Sequence, residues 1–141
     1  MIEIYTDGSC LGNPGTGGWA FLILRESEDI NHFGYQLDTT NNQMELTAAI
    51  KALEFLNKND EITLFTDSSY VKNGITSWII NWKKNNWKNA AKKDVKNKDL
   101  WIELDSFVVK HNVKWNWVKG HSGHEKNEIA DELANKGIDS L

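Results

Sequence analysis

The chain has 141 residues, of which 40% are hydrophobic and 26% charged, and a net charge of −4; these values are typical of one soluble globular domain. The single cysteine, Cys10, excludes an internal disulfide framework and a zinc site built from cysteines. No apolar run is long enough for a transmembrane helix, and the negative charge argues against an indiscriminate nucleic-acid binder. The N-terminus lacks the apolar core of a signal peptide. We therefore expect a cytoplasmic protein with a single domain over residues 1–141.

The first half of the chain predicts three strands and a helix. Residues 2–6 alternate like a strand, and the glycine-rich residues 8–18 predict a tight loop. Trp19–Leu24 and Asn31–Leu37 are strand-like, and the short connections favour an antiparallel meander. Residues 41–58 have helical periodicity.

Local signals support that helix. Thr40 with Gln43 fits a capping box. The small and aliphatic residues at helical spacing are Ala48, Ala49, Ala52, Leu53 and Leu56. Glu45 lies on or beside this face, so its carboxylate points towards the core, where an ionised group is costly.

The second half predicts two strands and several helices. In chain order they are a strand over Glu61–Thr66, a short helix after Asp67 that ends near Gly74, a tryptophan-rich helix from about Trp78, a helix over about Asp99–Lys110, a strand over Val113–Val118 and a helix over about Glu125–Lys136. This order implies an α/β fold with a mixed five-stranded sheet and helices on both faces. Strands 1–3 form the meander, and strands 4 and 5 run parallel to strand 1.

Positive charge and tryptophan are concentrated in one segment. Seven of the sixteen basic residues lie between Lys83 and Lys98, with one acid, Asp94. Four of the seven tryptophans lie between Trp78 and Trp101. This basic segment (residues 78–101) predicts a nucleic-acid contact, because lysines neutralise phosphates; the alternative is a solvated surface.

Strands 1 and 4 both end in Thr-Asp, at Asp7 and Asp67. Ligand sites in open α/β sheets lie at the carboxyl ends of strands, so we expect the two carboxylates side by side if the strands are parallel neighbours. The alternatives are a turn residue before glycine for Asp7 and a helix N-cap for Asp67. Asp131 flanks the apolar side of the last helix, and for it and Glu45 the alternative is an ordinary surface acid.

Five motifs in this order resemble bacterial type 1 ribonuclease H (ribonuclease HI), and the resemblance covers residues 2–137. They are Thr6–Gly15 (TDGSCLGNPG), Thr39–Leu46 (TTNNQMEL), Thr66–Ser68 (TDS), Trp117–His124 (WVKGHSGH) and Asp131–Ala134 (DELA).

The resemblance implies a ribonuclease H-like fold and an endoribonuclease that hydrolyses the RNA strand of RNA–DNA hybrids without strong sequence preference. Asp7, Glu45, Asp67 and Asp131 would be the catalytic carboxylates and hold two Mg²⁺ ions, with Mn²⁺ as a substitute. Cleavage would leave 5′-phosphate and 3′-hydroxyl ends. His121 would assist proton transfer and product release, and His124 would be an ordinary loop histidine.

The resemblance also implies substrate contacts. The residues expected to line the minor groove of the hybrid are Cys10, Asn13, Asn41 and Asn42. Further substrate contacts are expected at Ser69, Asn73, Trp78, Lys83, Lys84, Lys88 and Trp101. The basic segment would be a protrusion that grips the DNA strand, with Trp78 as its DNA contact. Core packing is expected for Trp87, Trp115 and Trp117. Ser69, Ser77, Asn73 and Gln43 depart from the residues common in the family, which affects substrate contacts and not the acids.

Four alternatives compete with this interpretation. One is another metal-dependent nuclease of the same architecture, such as a junction resolvase or transposase core, and another is a catalytically silent hybrid-binding module. A zinc site at His121, His124 and Asp131 is disfavoured because the motifs already assign these residues. A nucleotide-binding loop at Gly8–Gly18 is disfavoured because the Gly-Lys-Ser/Thr ending is missing. We expect a monomer with no obligate protein partner and no membrane association.

Overall fold

The computed structural model describes residues 2–25, 29–56, 61–118 and 125–139. Its five strands form one sheet with the order β3-β2-β1-β4-β5. They are β1 (Ile2–Leu11), β2 (Gly15–Leu24), β3 (Asp29–Thr39), β4 (Glu61–Thr66) and β5 (Asn112–Trp117). β2 pairs antiparallel with β1 and β3, whereas β4 pairs parallel with β1 and β5. The predicted sheet topology is confirmed.

The glycine-rich segment differs from the prediction. Gly8 to Leu11 belong to β1 and Gly15 to Gly18 to β2, with Leu11 paired to Thr16, so the loop is three residues long. The glycines allow close approach within the sheet: a Cβ at Gly17 would lie 2.6 Å from the Thr39 side chain and 2.7 Å from that of Met44. Glycine in a strand often marks such a contact, and local composition alone suggested a loop.

The helices are α1 (Asn41–Phe55), α2 (Ser69–Asn73), α3 (Ile79–Lys84), α4 (Lys98–Val108) and α5 (Glu125–Asp139). α2 ends at Asn73 with Gly74 as its C-cap, as predicted, but the chain stays helical, because a π-helical turn over Gly74–Trp78 joins α2 to α3. Gly74 has helical backbone angles, and a Cβ there would lie 2.0 Å from the Trp101 ring. Gly74 is therefore a packing glycine. No helix within the described ranges has both the length and the apolar character needed to cross a membrane.

Alternate residues of β1 face two different cores. Ile4 is fully buried in a large cluster with Leu46 of α1, Leu64 of β4 and Trp101 of α4. Tyr5 points to the other face and packs with Leu22 and with Ala130 of α5. Helices thus cover both faces of the sheet, as predicted, and the carboxyl end of β1 lies between two packed layers.

Candidate active site

The parallel pairing of β1 and β4 places two carboxylates next to each other. The parallel pairing of these strands runs to Thr6 opposite Thr66, so Asp7 and Asp67 are the next residues on neighbouring strands. Asp7 is 3% exposed and lies within β1, opposite Ala20. Its alternative interpretation as a turn residue is therefore wrong.

Helix α1 supplies the third carboxylate. Thr40 caps the helix, and its hydroxyl accepts a hydrogen bond from the Gln43 amide at 3.2 Å. Glu45 lies in the first turns and is 6% exposed. A Cβ at Gly8 would lie only 2.5 Å from the Glu45 amide nitrogen. Because Gly8 has no side chain, α1 packs directly on β1 and carries Glu45 to the position beside Asp7.

The three carboxylates form one cluster. Asp7, Glu45 and Asp67 each offer an oxygen, and these oxygens all lie within 4.8 Å of one another. Oδ1 of Asp67 is buried and has no hydrogen-bond partner in the part of the chain that the structure describes. Carboxylate oxygens at this spacing repel one another, and they are the ligands that Mg²⁺ prefers. The donor set and the unsatisfied oxygen therefore fit a divalent cation.

The cluster opens into a cleft of ≈ 450 Å³. Its lining is almost entirely polar and comprises Asp7, Gly8, Ser9, Asn41, Asn42, Glu45, Asp67, Ser68, Ser69 and Tyr70. A solvent-accessible polar cleft beside buried carboxylates can admit a charged, hydrated substrate.

The start of α2 leaves the Asp67 carboxylate available. The N-cap of α2 is Ser68, whose hydroxyl accepts from the Val71 amide at 3.1 Å. The Ser68 amide in turn donates to Oγ1 of Thr66 at 3.1 Å. The alternative interpretation of Asp67 as an N-cap is therefore wrong.

Helix α5 crosses the sheet near this site. Ala130 packs against Tyr5 and Leu22, and Oδ1 of Asn135 accepts a hydrogen bond from the Ser9 hydroxyl at 3.3 Å. Asp131 belongs to α5 between these two contacts, but its side chain lies outside the described part. His121 and His124 lie outside the described residues altogether, so their roles and that of Asp131 stay predictions.

Several of the expected substrate residues lie around the cleft. Asn41, Asn42 and Ser69 line it. Oδ1 of Asn13 accepts a hydrogen bond from the Asn41 amide at 3.0 Å, and the Cys10 thiol donates to the Thr39 carbonyl at 3.4 Å. The β1–β2 turn is thereby tied to the start of α1. Asn73 is exposed at the end of α2 but is not among the cleft residues.

A polar network supports the cleft from behind. The Gln43 side chain accepts from the Thr39 hydroxyl at 2.9 Å and donates to Oδ1 of Asn97 at 3.0 Å. The Tyr70 hydroxyl accepts from Nδ2 of Asn97 at 3.1 Å and from the Trp101 indole at 3.0 Å. Trp101 is 0% exposed. The expected substrate contact at Trp101 is therefore wrong, because its ring is core and its N–H group holds Tyr70.

The basic segment is partly neutralised by acids within it and in α4. Nζ of Lys83 lies 3.0 Å from Asp105. Lys88 and Lys98 both pair with Asp94, the latter at 3.6 Å. The hydrogen bond from Lys88 and the charges of both lysines lower the pKa of Asp94. Lys84 is exposed and forms no ion pair among the described residues.

The tryptophans divide into exposed and packed rings. Trp78 is 39% exposed and meets Tyr70 edge-on with ring centroids 5.8 Å apart, so it is accessible to substrate. Trp87 and Trp115 are partly buried against the main core. The prediction of core packing is wrong for Trp117, which is 44% exposed and donates its indole N–H to the Asp67 carbonyl at 3.2 Å.

Sequence reasoning missed Gly8, Ser68, Tyr70 and Trp117 as elements of the site. For Ser68 a signal existed, since serine three residues before the Val71 amide is a standard cap. For the other three, the partner lies on a distant segment of the chain.

Comparison with known proteins agrees with this geometry. The family model described as RNase H matches residues 1–139. A protein of Hydrogenovibrio crunogenus named Ribonuclease H is 59% identical, and the alignment covers 99% of this chain and 97% of that protein. A Ribonuclease H of Francisella philomiragia is 60% identical, with 99% and 92% covered.

Two solved structures share the fold. LC9-RNase H1, described as a type 1 RNase H with the type 2 active-site motif, is 32% identical with a TM-score of 0.88, covering 99% of this chain and 72% of that chain. LC11-RNase H1 in complex with RNA/DNA hybrid is 26% identical with a TM-score of 0.73, covering 99% and 98%. Because the family model and the alignments to full-length bacterial relatives cover nearly the whole chain, this chain belongs to the RNase H family and is a nuclease.

Proposed function

We propose that this protein is an endonuclease that hydrolyses the RNA strand of RNA–DNA hybrids, without strong sequence preference, by two-metal-ion catalysis. The observation that carries the proposal is the cluster of Asp7, Glu45 and Asp67, whose carboxylate oxygens lie within 4.8 Å of one another at the carboxyl end of the sheet. Family membership supports the reaction class, and the hybrid bound to the relative LC11-RNase H1 supports the substrate class.

Asp7, Glu45 and Asp67 would hold the metal, and Asp131 would complete the set. When bound, a pair of Mg²⁺ ions supplies stabilisation of the attacking and leaving oxygens of an in-line displacement. The fit rests on the all-carboxylate donor set and on the buried Oδ1 of Asp67 without a described hydrogen-bond partner.

The reaction is the attack of water on a phosphodiester of the RNA strand. The bond between phosphorus and the 3′ oxygen breaks, which leaves a 3′-hydroxyl on one product and a 5′-phosphate on the other. The attacking water gives up a proton in this step. His121 is proposed to carry that proton away and to assist product release.

Recognition of the hybrid needs a reader of the 2′-hydroxyl, since that group distinguishes RNA from DNA locally. The amides of Asn41 and Asn42 line the cleft and can donate to it and accept from it. Cys10 and Asn13, tied to the same helix start, are proposed to extend this minor-groove surface.

The basic segment is proposed to be a protrusion that holds the DNA strand. Its exposed Lys84 and the half-exposed Trp78 are the best placed of its residues. Lys83 and Lys88 would exchange their carboxylate partners for phosphates. Ser69 and Asn73 are proposed as polar contacts at the start and end of α2. We further propose that the protein works as a monomer in the cytoplasm, without an obligate protein partner.

The test is cleavage of end-labelled RNA–DNA hybrid beside RNA duplex and DNA duplex, with Mg²⁺ and with chelator. We expect cuts only in the RNA strand of the hybrid, only with metal, and only with 5′-phosphate product ends. Asp7→Asn and Asp67→Asn should lose turnover but still bind the hybrid. The matched control is Asp29→Asn, at the exposed opposite end of the sheet. Cleavage of either homoduplex, or full activity in both site variants, would overturn the proposal.

A further inference from the structure

The indole of Trp117 is bonded to the residue that carries one of the clustered carboxylates. Nε1 of Trp117 donates to the backbone carbonyl of Asp67 at 3.2 Å, although 50 residues separate them. Trp117 ends β5, and its partner in the parallel pairing is Thr66. The contact therefore lies one residue beyond the last pair of the sheet.

This hydrogen bond continues the bonding between β4 and β5 by one residue, to Asp67. The Val118 amide donates to the Thr66 carbonyl at 2.8 Å, and the Trp117 indole N–H donates to the next carbonyl along the chain, that of Asp67. On the other side, the Ser68 amide is held by the Thr66 hydroxyl. The peptide that joins Asp67 to Ser68 is thus hydrogen-bonded at its oxygen by Trp117 and at its nitrogen by Thr66.

The Trp117 ring also lies close to a lysine. Nζ of Lys72, one turn into α2, lies 6.0 Å from the centre of the ring, within the range of a cation–π contact. With 44% of Trp117 exposed, hydrophobic burial alone does not account for its orientation. Its hydrogen bond and Lys72 define it.

We propose that Trp117 is a positioning residue for Asp67: its indole N–H fixes the Asp67 peptide and thereby the direction of the carboxylate towards Asp7 and Glu45. The inference rests on the proposed role of Asp67 as a metal ligand. Metal and catalytic groups need their geometry held to about half an ångström by supporting hydrogen bonds. A bond to the backbone of the ligand residue supplies such support without touching metal or substrate.

The test is Trp117→Phe, which keeps an aromatic ring and removes the N–H donor. A neutral hydrogen bond contributes roughly three- to tenfold to an equilibrium, so we expect calorimetric Mg²⁺ affinity and kcat each to fall by about that factor. KM for the hybrid should stay within about twofold, since the bond acts on the metal site and not on substrate binding.

The control is Trp115→Phe, on the same strand. Trp115 packs against the main core and has no indole hydrogen bond among the described residues. This variant should lower the melting temperature and leave Mg²⁺ affinity unchanged. If Trp117→Phe lowers the melting temperature in the same way with parental Mg²⁺ affinity and kcat, Trp117 is structural and the inference is wrong. A rise in KM alone would make it a substrate contact, which also overturns the inference.

A second measurement uses the unaltered protein. Hydrogen exchange of the assigned Trp117 indole N–H should be slower than that of the half-exposed Trp78 indole, and slower again when Mg²⁺ is added. Equal exchange of both indoles, with no response to Mg²⁺, would contradict the inference even if the variant failed to fold. Asp67→Asn separates the two proposals: if it keeps parental Mg²⁺ affinity and turnover, the role of Asp67 itself fails.

Discussion

Gly8 and Glu45 are in contact backbone against backbone, and a Cβ at Gly8 would lie 2.5 Å from the Glu45 amide nitrogen. Gly8 follows Asp7 in β1, and Glu45 sits in the first turns of α1. The distance between the buried carboxylates of Asp7 and Glu45 is therefore set by how closely α1 can approach β1. A missing side chain thus determines the geometry of the acidic cluster.

Gly8→Ala tests this relationship directly. The added methyl meets backbone atoms of Met44 and Glu45 at 2.4–2.8 Å, so α1 must move away from β1. We expect a loss of unfolding free energy of about 1–3 kcal/mol, typical of overpacking, and a fall in kcat of more than about tenfold, because small displacements of catalytic groups are costly. Urea unfolding and hybrid cleavage measure the two effects.

The control for Gly8→Ala is Gly12→Asn. Gly12 lies in the β1–β2 turn with φ +71°, a conformation that asparagine tolerates better than other residues. This variant should keep most of the stability and activity. If Gly8→Ala had parental turnover, the strand–helix contact would not be what places Glu45.

The arrangement of strands was predictable because each strand carries its own pattern. The repeated Thr-Asp endings at Asp7 and Asp67 indicated adjacent acids on the condition that strands 1 and 4 are parallel neighbours. The structure has these strands parallel and brings the two acids together. The alanine face of α1 likewise indicated that Glu45 points inward, and it is 6% exposed.

The features that the sequence did not predict depend on partners far away along the chain. Glycines at 15–18 predicted a loop because glycine favours turns, yet they lie in β2, where Gly17 packs against Thr39 and Met44. Gly74 marked the end of α2 correctly, but its packing against Trp101, 27 residues later, had no local signal. The residues around a tryptophan give no local sign of its burial. Trp101, the expected substrate contact, is therefore found in the core, and Trp117, the expected core residue, is exposed.

Asp67→Asn should be inactive but more stable than the parent in chelator. Three carboxylates lie within 4.8 Å of one another, and two unit charges at 4 Å repel by about 4 kcal/mol at an effective dielectric constant of 20. Neutralising Asp67 removes part of this repulsion. The substitution leaves helix capping unchanged, because Ser68 and not Asp67 caps α2.

Thermal unfolding with chelator and with Mg²⁺ measures this. Mg²⁺ binds only the folded state and should stabilise the parent more than the variant. Asp29→Asn, which removes an exposed acid at the far end of the sheet, should behave like the parent in both conditions. A variant that is no more stable in chelator and gains equally from Mg²⁺ would contradict the picture of a crowded metal site.

Asp94→Asn should tighten hybrid binding. Asp94 pairs with Lys88 and Lys98, so its removal frees two cations for phosphates. Each added phosphate contact steepens the dependence of log affinity on log salt by about one unit. The opposite change, Lys84→Ala, removes a lysine without a described ion pair and should make the dependence of affinity on salt less steep. Titrations with the hybrid at several salt concentrations measure both slopes. If the slopes of both variants equal that of the parent, the basic segment is a solvated surface.

His121→Ala should lower kcat while KM stays nearly unchanged, because a proton carrier acts in the reaction and not in binding. His124→Ala, three residues further along the same segment, is the matched control and should have much less effect. Steady-state kinetics on a labelled hybrid measure both. Equal losses in the two variants would indicate a role in the structure of that segment, or the zinc alternative.

Tyr5→Phe should make the protein more resistant to alkaline unfolding. Tyr5 is 5% exposed and stacks on Phe65 with ring centroids 4.5 Å apart. Burial, and to a lesser degree the charge of Glu3, raise its pKa above the ordinary value of 10.0. Above about pH 10 the unfolded chain therefore releases a proton that the folded chain still holds, so the stability conferred by the neutral phenol is present below this pH and is lost as the pH rises further.

Phenylalanine has no such proton. Relative to the parent, Tyr5→Phe should show a constant difference in unfolding free energy from pH 7 to 9, and a difference that shifts progressively in its favour above about pH 10. Urea unfolding across this range measures the shift. The control is Tyr35→Phe, which makes the same substitution at a tyrosine that is 49% exposed. If the parent, Tyr5→Phe and Tyr35→Phe all lost stability in parallel at high pH, Tyr5 would not be the group that causes the alkaline loss of stability. The Tyr5–Phe65 stack on the α5 side of the sheet would then not be the alkali-sensitive part of the fold.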